Sequence, residues 1–198
     1  MNMSRRIITI SREFGSGGRT IAKLVADRLG YAYYDKDLIE KISEGTGFSK
    51  GFIERYGEQA PGNSLFSYAF LGRTVNGMAM QDYIWMEQRK IIMDLAEKGN
   101  CVIVGRCADY ILKDRAECIN VFICADKEDR KKRIGRLYNL TERKAAERIR
   151  RTDRERRYYY ELHTGQDWGE IGSHQILFNV SLLGADKIVD YLELMYKS

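Results

Sequence analysis

Long apolar runs, histidine and paired cysteines are scarce in this sequence, and each scarcity excludes a class of protein. No stretch approaches the ~18 apolar residues that a membrane-spanning helix needs. With only two histidines, His163 and His174, we expect neither histidine-based catalysis nor a histidine-rich metal site. The four cysteines form no C-x-x-C pair, which favours reduced thiols in the cytoplasm. The first residues also lack the pattern of a signal peptide, which agrees with a cytoplasmic location.

What is present suits a single domain over residues 1–198. The chain has 198 residues, of which 44% are hydrophobic, and this is enough for one sizeable core. Its formal net charge of +5 is well below that of a dedicated nucleic-acid binder. The positive charge is concentrated, however, in a run of arginines between residues 130 and 157.

Acidic residues are interleaved with these arginines, so most of the run is interpreted as a solvated helix face with i,i+4 ion pairs. Arginine rather than lysine dominates toward the C-terminal end of the run. The planar guanidinium group grips phosphate with two hydrogen bonds and cannot lose its charge. We therefore expect two or three of the arginines to bind phosphate. Arg154 and Arg157 are the candidates, because residues three apart share a helix face.

A glycine loop follows the first strand-like run, in the stretch IITISREFGSGGRT at residues 7–20. A strand, a glycine cluster and a helix are the context of a P-loop, whose pattern is G-x-x-x-x-G-K-[ST]. Gly18 stands where that pattern requires lysine, and Arg19 follows it. Either Arg19 takes over the work of the lysine, or it faces solvent on the first helical turn, and Arg12 and the lid arginines are then the remaining candidates. In both cases the loop is expected to bind phosphate through backbone N–H groups. Its residues are Gly15, Ser16, Gly17, Gly18, Arg19 and Thr20.

Strand-like segments alternate with helical ones along the chain. Short apolar runs predict strands at 7–10, 31–35, 101–105, 119–125 and 176–180. Amphipathic periodicity predicts helices between them, the longest from Met80 to Lys98, and a charged helix at 141–157. This alternation predicts an α/β fold whose parallel sheet is covered by helices on both faces. Residues 44–78 are glycine-rich, contain the only proline, Pro61, and are expected to form short helices and a loop.

Polar residues lie at or after the ends of three of the predicted strands, at the edge of the sheet where ligands bind in such folds. The glycine loop follows the first strand, the second strand ends in Asp35, and Arg106 and Asp109 follow the third. Arginines and a carboxylate that converge there would suit an anionic substrate that carries hydroxyl groups. The alternative for Arg106 is a surface residue after a strand. Asp35 is also a candidate N-cap for the helix that follows it.

Aromatic and basic residues lie together in RRYYYELHTGQDWG, residues 156–169. This combination can stack nucleobases and hold backbone phosphates, so an RNA-binding module is an alternative interpretation. The interleaved acids and the mild net charge argue against it.

Five segments, in the order in which they occur, resemble the cytidylate kinase-like family of P-loop proteins. They are ITISREFGSGGRTIAKLVADRLGY, VGRCADYIL, VFICADKEDRKKRI, RTDRERRYYYE and FNVSLLGADKIVDYL, and together they span nearly the whole chain. The resemblance implies a P-loop kinase domain, a three-layer sandwich with a five-stranded parallel sheet. It also implies a helical monophosphate-binding region, here residues 36–98, and a mobile arginine-rich helical lid at about 138–172.

The same resemblance implies roles for individual residues. Residues 15–20 would hold the phosphates of ATP, and Arg106 is similar to the arginine that grips the phosphate of the acceptor. Residues 153–157 resemble the lid segment whose aspartate, here Asp153, and arginines contact the phosphates and the acceptor. Magnesium would be bound mainly through the nucleotide phosphates, because no dedicated set of carboxylate ligands is visible.

The sequence departs from the family at the glycine loop, which reads GSGGRT where cytidylate kinases read GSGKGT. Residues 44–78 also match the monophosphate-binding insert of the family poorly. We expect an ATP-dependent kinase for a nucleoside monophosphate, with CMP or dCMP favoured. Small-molecule nucleotides, rather than membranes or nucleic acids, are the expected partners. The first alternative is a nucleotide-binding regulator that has lost catalysis with its lysine, and the second is the RNA-binding module.

Overall fold

A parallel sheet forms the centre of the computed structural model, which describes residues 6–51, 53, 74–75, 77–115 and 117–197. The strands in chain order are β1 (Ile7–Arg12), β2 (Ala32–Tyr34), β3 (Thr74–Val75), β4 (Met78–Ala79), β5 (Cys101–Val104), β6 (Cys118–Cys124) and β7 (Ile176–Asn179). Five of them form the parallel sheet in the order β2-β5-β1-β6-β7, and β3 pairs with β4 in a small antiparallel ribbon. The predicted sheet is confirmed.

Helices connect these strands. They are α1 (Gly18–Leu29), α2 (Lys36–Thr46), α3 (Met80–Lys98), α4 (Ala108–Ile111), α5 (Lys127–Tyr138), α6 (Glu142–Thr164), α7 (Val180–Leu183) and α8 (Ala185–Lys197), with a 3-10 turn at Ile171–Ser173. None of the described helices is long and apolar enough to cross a membrane.

The alternation of residues along each strand divides the core into two layers. On β5, Cys101 and Ile103 face one layer with residues of α2 and α3, whereas Val102 and Val104 face the other with residues of α1 and α8. All four side chains are buried, as expected for a strand covered on both faces. This arrangement confirms the three-layer sandwich.

The register of the central strands brings the connections after β1, β5 and β6 to the same edge of the sheet. β1 lies between β5 and β6, with Ile10 opposite Val104 and Arg12 opposite Ile123. The N–H of Gly105, directly after β5, donates to the carbonyl of Ile10 at 3.1 Å. The glycine loop after β1 therefore begins beside the turn after β5.

The structure differs from expectation mainly in α6. This helix continues to Thr164, beyond the predicted end at residue 157, so much of the aromatic segment is helical. Most of the segment expected to form short helices and a loop, residues 44–78, lies outside the described residues.

Candidate active site

The glycine loop turns tightly between β1 and α1. Gly15 and Gly17 have φ values of +86° and +92°, in the left-handed region that favours glycine. A Cβ atom on Gly15 would lie 2.9 Å from Cγ1 of Ile134 and 3.3 Å from the carbonyl oxygen of Arg130. The loop therefore packs directly against α5, and only glycine permits that approach. The predicted sequence of strand, glycine loop and helix is confirmed.

Arginines from four parts of the chain line the cleft over this loop. The cleft has a volume of about 230 Å³, and its arginines are Arg12, Arg19, Arg133 and Arg156. Glu13 is the one acid among the described residues that line it. Nη2 of Arg133 donates to Oγ1 of Thr20 at 3.0 Å, at the start of α1. An excess of fixed positive charge in a cleft attracts anions, and the N-terminus of α1 adds to it.

Arg130 joins the glycine loop to α6. Its guanidinium group is buried, lies 2.9 Å from Oε1 of Glu13, pairs with Asp153 and donates from Nε to the carbonyl of Phe14 at 2.8 Å. Asp153 in turn accepts from the N–H of Phe14 at 2.7 Å. Burial raises the pKa of Glu13, and the contact with Arg130 opposes that rise. Asp153, predicted to contact the substrate, is thus held by the loop and by Arg130.

The arginines of the predicted lid divide between two clefts. Arg154 and Arg157 line a cleft of about 470 Å³ beside the Arg130 cluster, together with Asp153. Arg156, between them, reaches the glycine loop instead: its Nη1 donates to the carbonyl of Arg12 at 3.0 Å. It also lies 5.6 Å from the ring centre of Phe14. The structure therefore brings Arg154 and Arg157 together, as predicted, and adds Arg156 at the loop.

Asp35 lies at the end of β2 and pairs with Arg19. Nε of Arg19 is 3.0 Å from Oδ2 of Asp35, whose side chain is only 9% exposed, while Arg19 is 47% exposed. Asp35 occupies the N-cap position of α2, as predicted, but its side chain makes no capping hydrogen bond. Its carboxylate accepts from the hydroxyl of Tyr33 at 3.4 Å instead. Burial, with help from Asp35, raises the pKa of Tyr33 to about 12.

Arg106 follows β5 in an unusual backbone conformation. Gly105, Arg106 and Cys107 have φ values of 70°, 60° and 53°, three consecutive left-handed residues. Such a conformation costs about 1–2 kcal/mol for each residue other than glycine, and strain of this kind is concentrated at functional sites. Arg106 is only 4% exposed, which excludes the interpretation as a surface residue.

Gln88 holds the strained turn from α3. Its Nε2 donates to the carbonyl of Arg106 at 3.0 Å and to the hydroxyl of Tyr159 at 3.2 Å. Gln88 is fully buried. Nη1 of Arg106 donates to the carbonyl of Ile53 at 3.4 Å, within residues 36–98, the region predicted to bind the monophosphate. Sequence reasoning missed Gln88, because a single glutamine on an amphipathic helix carries no motif.

Asp109 lies apart from Asp35. Its carboxylate is 3.2 Å from Nε2 of His174, and both side chains are almost completely buried. Asn120 donates from Nδ2 to the carbonyl of Asp109 at 3.3 Å. The structure thus places Asp109 in the interior beneath the sheet edge. Within the described residues, no group of three or more histidine, cysteine, aspartate or glutamate side chains could hold a metal ion.

The aromatic residues of α6 face the core more than the solvent. Tyr159 and Tyr160 are buried, and only Tyr158 of the three consecutive tyrosines is exposed. His163 stacks on Trp85 with 4.5 Å between ring centres, and burial lowers its pKa. Stacking of nucleobases needs exposed ring faces in succession. This segment does not offer them, which weakens the RNA-binding alternative.

A model of the cytidylate kinase-like family matches residues 7–182, which are most of the chain and include the glycine loop, the turn after β5, α5 and α6. The chain belongs to the cytidylate kinase-like family. A cytidylate kinase from Ignicoccus hospitalis is 26% identical over 190 residues, which are 96% of this chain and 98% of that protein.

Solved structures share this fold. An uncharacterized protein from Eubacterium ventriosum has a TM-score of 0.75 and 26% identity, over 98% of this chain and 99% of that chain. A shikimate kinase from Bacteroides thetaiotaomicron has a TM-score of 0.56 and 17% identity, over 98% of this chain and 99% of that chain. The second likeness shows the fold alone, and it is the fold of a P-loop kinase.

Proposed function

We propose that the protein transfers the γ-phosphoryl group of ATP to a nucleoside monophosphate, with CMP or dCMP favoured. The observation that carries the proposal is the convergence of arginines from separate elements on one glycine loop, beside Arg106 and Asp35 at the same sheet edge. Phosphoryl transfer depends on positioning and on charge neutralisation around the moving group, and this site supplies both.

The donor side of the site fits magnesium and ATP. The left-handed glycines at positions 15 and 17 shape the loop that leads into α1, and the N-terminus of that helix favours phosphates. Thr20 provides a hydroxyl group beside the loop, of the type that contacts magnesium in P-loops. Magnesium bound with the nucleotide would neutralise part of the phosphate charge. Arg133 and Arg156 would neutralise more of it from α5 and α6.

The acceptor side is assigned to Asp35, Arg19 and Arg106. Arg106 is buried beside the region that the family uses for the monophosphate, which suits a grip on the phosphate of the acceptor. The carboxylate of Asp35 suits a hydroxyl group of the acceptor, and Arg19 fixes its orientation. The favoured base, cytosine, rests on the cytidylate kinases among the relatives. A cytoplasmic location belongs to the same proposal, because all four cysteines are free thiols.

Turnover with a panel of acceptors tests the proposal. The purified protein is incubated with magnesium-ATP and each of CMP, dCMP, UMP, AMP, GMP and shikimate, and ADP release is measured. We expect the highest kcat/KM with CMP or dCMP. A preference for another monophosphate would correct the acceptor and leave the reaction class intact. ATP binding without turnover on any acceptor would favour the regulator, and a shikimate preference would overturn the proposal.

A further inference from the structure

The glycine loop departs from the P-loop pattern at three positions: Arg19 stands where the pattern has serine or threonine, and positions 12 and 18 depart together. In G-x-x-x-x-G-K-[ST] the first glycine stands five residues before the second, and the lysine directly follows the second. With Gly17 as the second glycine, the first glycine position holds Arg12 and the lysine position holds Gly18. The lysine position, 18, thus lacks its cation, and the first glycine position, 12, carries a cation that the pattern does not have.

These two positions are in contact. A Cβ atom on Gly18 would lie 2.7 Å from Cβ of Arg12, 3.1 Å from its Cγ and 3.3 Å from Cβ of Ile123. The first distance is too short for two carbon atoms, and neither atom belongs to a flexible side-chain end. The stem of Arg12 therefore fills the space in which a lysine side chain at position 18 would begin. Gly18 is the residue that allows Arg12 to lie there.

Other arginines at the cleft approach from different directions. Arg19 is paired with Asp35 at the end of β2. Arg133 comes from α5 and approaches another part of the loop: a Cβ atom on Gly17 would lie 3.3 Å from its Nη1. Arg12 is the last residue of β1. It is 4% exposed, and it lines the cleft. Its charge also acts at the acceptor edge, where it opposes the rise in the pKa of Tyr33 that burial causes.

We propose that Arg12 takes the place of the P-loop lysine, and that its guanidinium group binds the phosphoryl group in transfer; this rests on the function proposed above. During the reaction an oxygen of the acceptor phosphate bonds to the γ-phosphorus while the bond from that phosphorus to the bridging oxygen breaks, which leaves ADP. Arg12 forms no covalent bond and neutralises charge on these oxygens. A guanidinium group suits this role because it stays charged and binds two oxygens at once.

The test restores the P-loop residues at positions 12 and 18, first singly and then together. Arg12→Gly removes the cation and the overlapping Cβ atom, and we expect kcat to fall at least 100-fold. Gly18→Lys alone should lower both activity and the melting temperature, because its Cβ atom overlaps that of Arg12. The double variant Arg12→Gly/Gly18→Lys restores the P-loop pattern at both positions, and we expect it to regain at least 10-fold in kcat over Arg12→Gly.

Two matched controls make the rescue specific. Arg12→Ala/Gly18→Lys keeps a Cβ atom at position 12, so it should not regain activity. Arg133→Ala/Gly18→Lys leaves the overlap in place and should also fail.

Arg12→Met keeps the stem and removes only the charge, so it separates catalysis from packing. Its melting temperature should stay within a few degrees of that of the parent while kcat falls.

Binding measurements distinguish this inference from the proposed function. If the parent phosphorylates no acceptor, the proposed function fails, and calorimetric titration of ATP into the parent and Arg12→Met still tests the phosphate contact. We expect Arg12→Met to bind ATP at least 10-fold more weakly. Parental ATP affinity and kcat in Arg12→Met would overturn the inference. So would a folded double variant that is no more active than Arg12→Gly.

Discussion

The glycine loop, on the proposed donor side, and Arg106, on the proposed acceptor side, are held in place by different kinds of interaction. On the donor side, charged side chains of α5 and α6 bind the glycine loop, with Arg130 between Glu13 and Asp153. On the acceptor side, Arg106 is held by a left-handed turn and by one neutral side chain, that of Gln88. Changes on the donor side should therefore affect stability and transfer together. Changes on the acceptor side should affect the binding and alignment of the acceptor, with little change in the affinity for ATP.

The largest expected effect concerns Arg130. Arg130→Met should lower the free energy of unfolding by about 3 kcal/mol, because it leaves the carboxylates of Glu13 and Asp153 half-buried without their cation. Urea denaturation measures this loss. Arg143→Ala, which breaks an exposed i,i+4 pair with Glu147, is the control and should cost about 0.5 kcal/mol or less. Equal losses in the two variants would mean that the contacts of Arg130 with Glu13 and Asp153 stabilise the protein no more than an exposed ion pair does.

The next effect concerns the lid. Arg154→Ala and Arg157→Ala should each lower kcat about 10-fold to 100-fold, on the order of 1.4 to 2.7 kcal/mol, if these side chains neutralise charge that develops in transfer. Steady-state kinetics with saturating substrates measures it. Arg151→Ala is the control, because Arg151 is 64% exposed on the same helix and only 3.9 Å from Glu155. An unchanged kcat with reduced stability would assign both lid arginines to the solvated face.

A smaller effect is expected at the acceptor edge. Arg106→Ala should raise the acceptor KM about 10-fold, or about 1.4 kcal/mol, while the affinity for ATP stays the same. The value of kcat should also fall as the alignment of the acceptor is lost. Acceptor and ATP titrations of the same variant give both quantities. If both substrates bind equally more weakly, Arg106 has a structural role, and the contrast between the two sides is lost.

The smallest effect tests how the acceptor side is supported. Gln88→Met removes the hydrogen bond to the carbonyl of Arg106 and keeps most of the buried volume. We expect the acceptor KM to rise by about 3-fold to 5-fold, in line with about 1 kcal/mol for one such bond, with little change in the KM for ATP. Lys90→Ala, exposed on the same helix, should change neither. A larger effect on ATP than on the acceptor would contradict the separation of the two sides.

Most of the fold could be predicted, because local patterns report burial directly. Short apolar runs marked the five strands of the sheet, and helical periodicity gave α3 with both of its ends. The end of α6 was missed, because the charged run stops near residue 157 whereas the helix continues through tyrosines buried against α3. The support for that last part comes from another element, which no local pattern reveals.

The candidate site was predicted only in part. The glycine loop, Asp35 and Arg106 all lie at the predicted sheet edge, but Asp109 turns into the interior toward His174. The side chain of Asp35 also binds Arg19 rather than capping α2. Arg106 and Asp109 are only about one helical turn apart, and their spacing in the sequence does not show which of them faces the site and which faces the core.

By itself the sequence determined the alternation of strands and helices, the glycine loop and the concentration of arginine in one region. Only the tertiary structure decided which cations meet at the loop. Arg12, Arg133 and Arg156 are far apart in the chain and converge because β1 is central in the sheet and α5 and α6 pack over its end. Arginine side chains are long, so their positions depend on these packing contacts rather than on local periodicity. The sequence shows that positions 12 and 18 both depart from the P-loop pattern, but only the folded loop places Arg12 and Gly18 in contact.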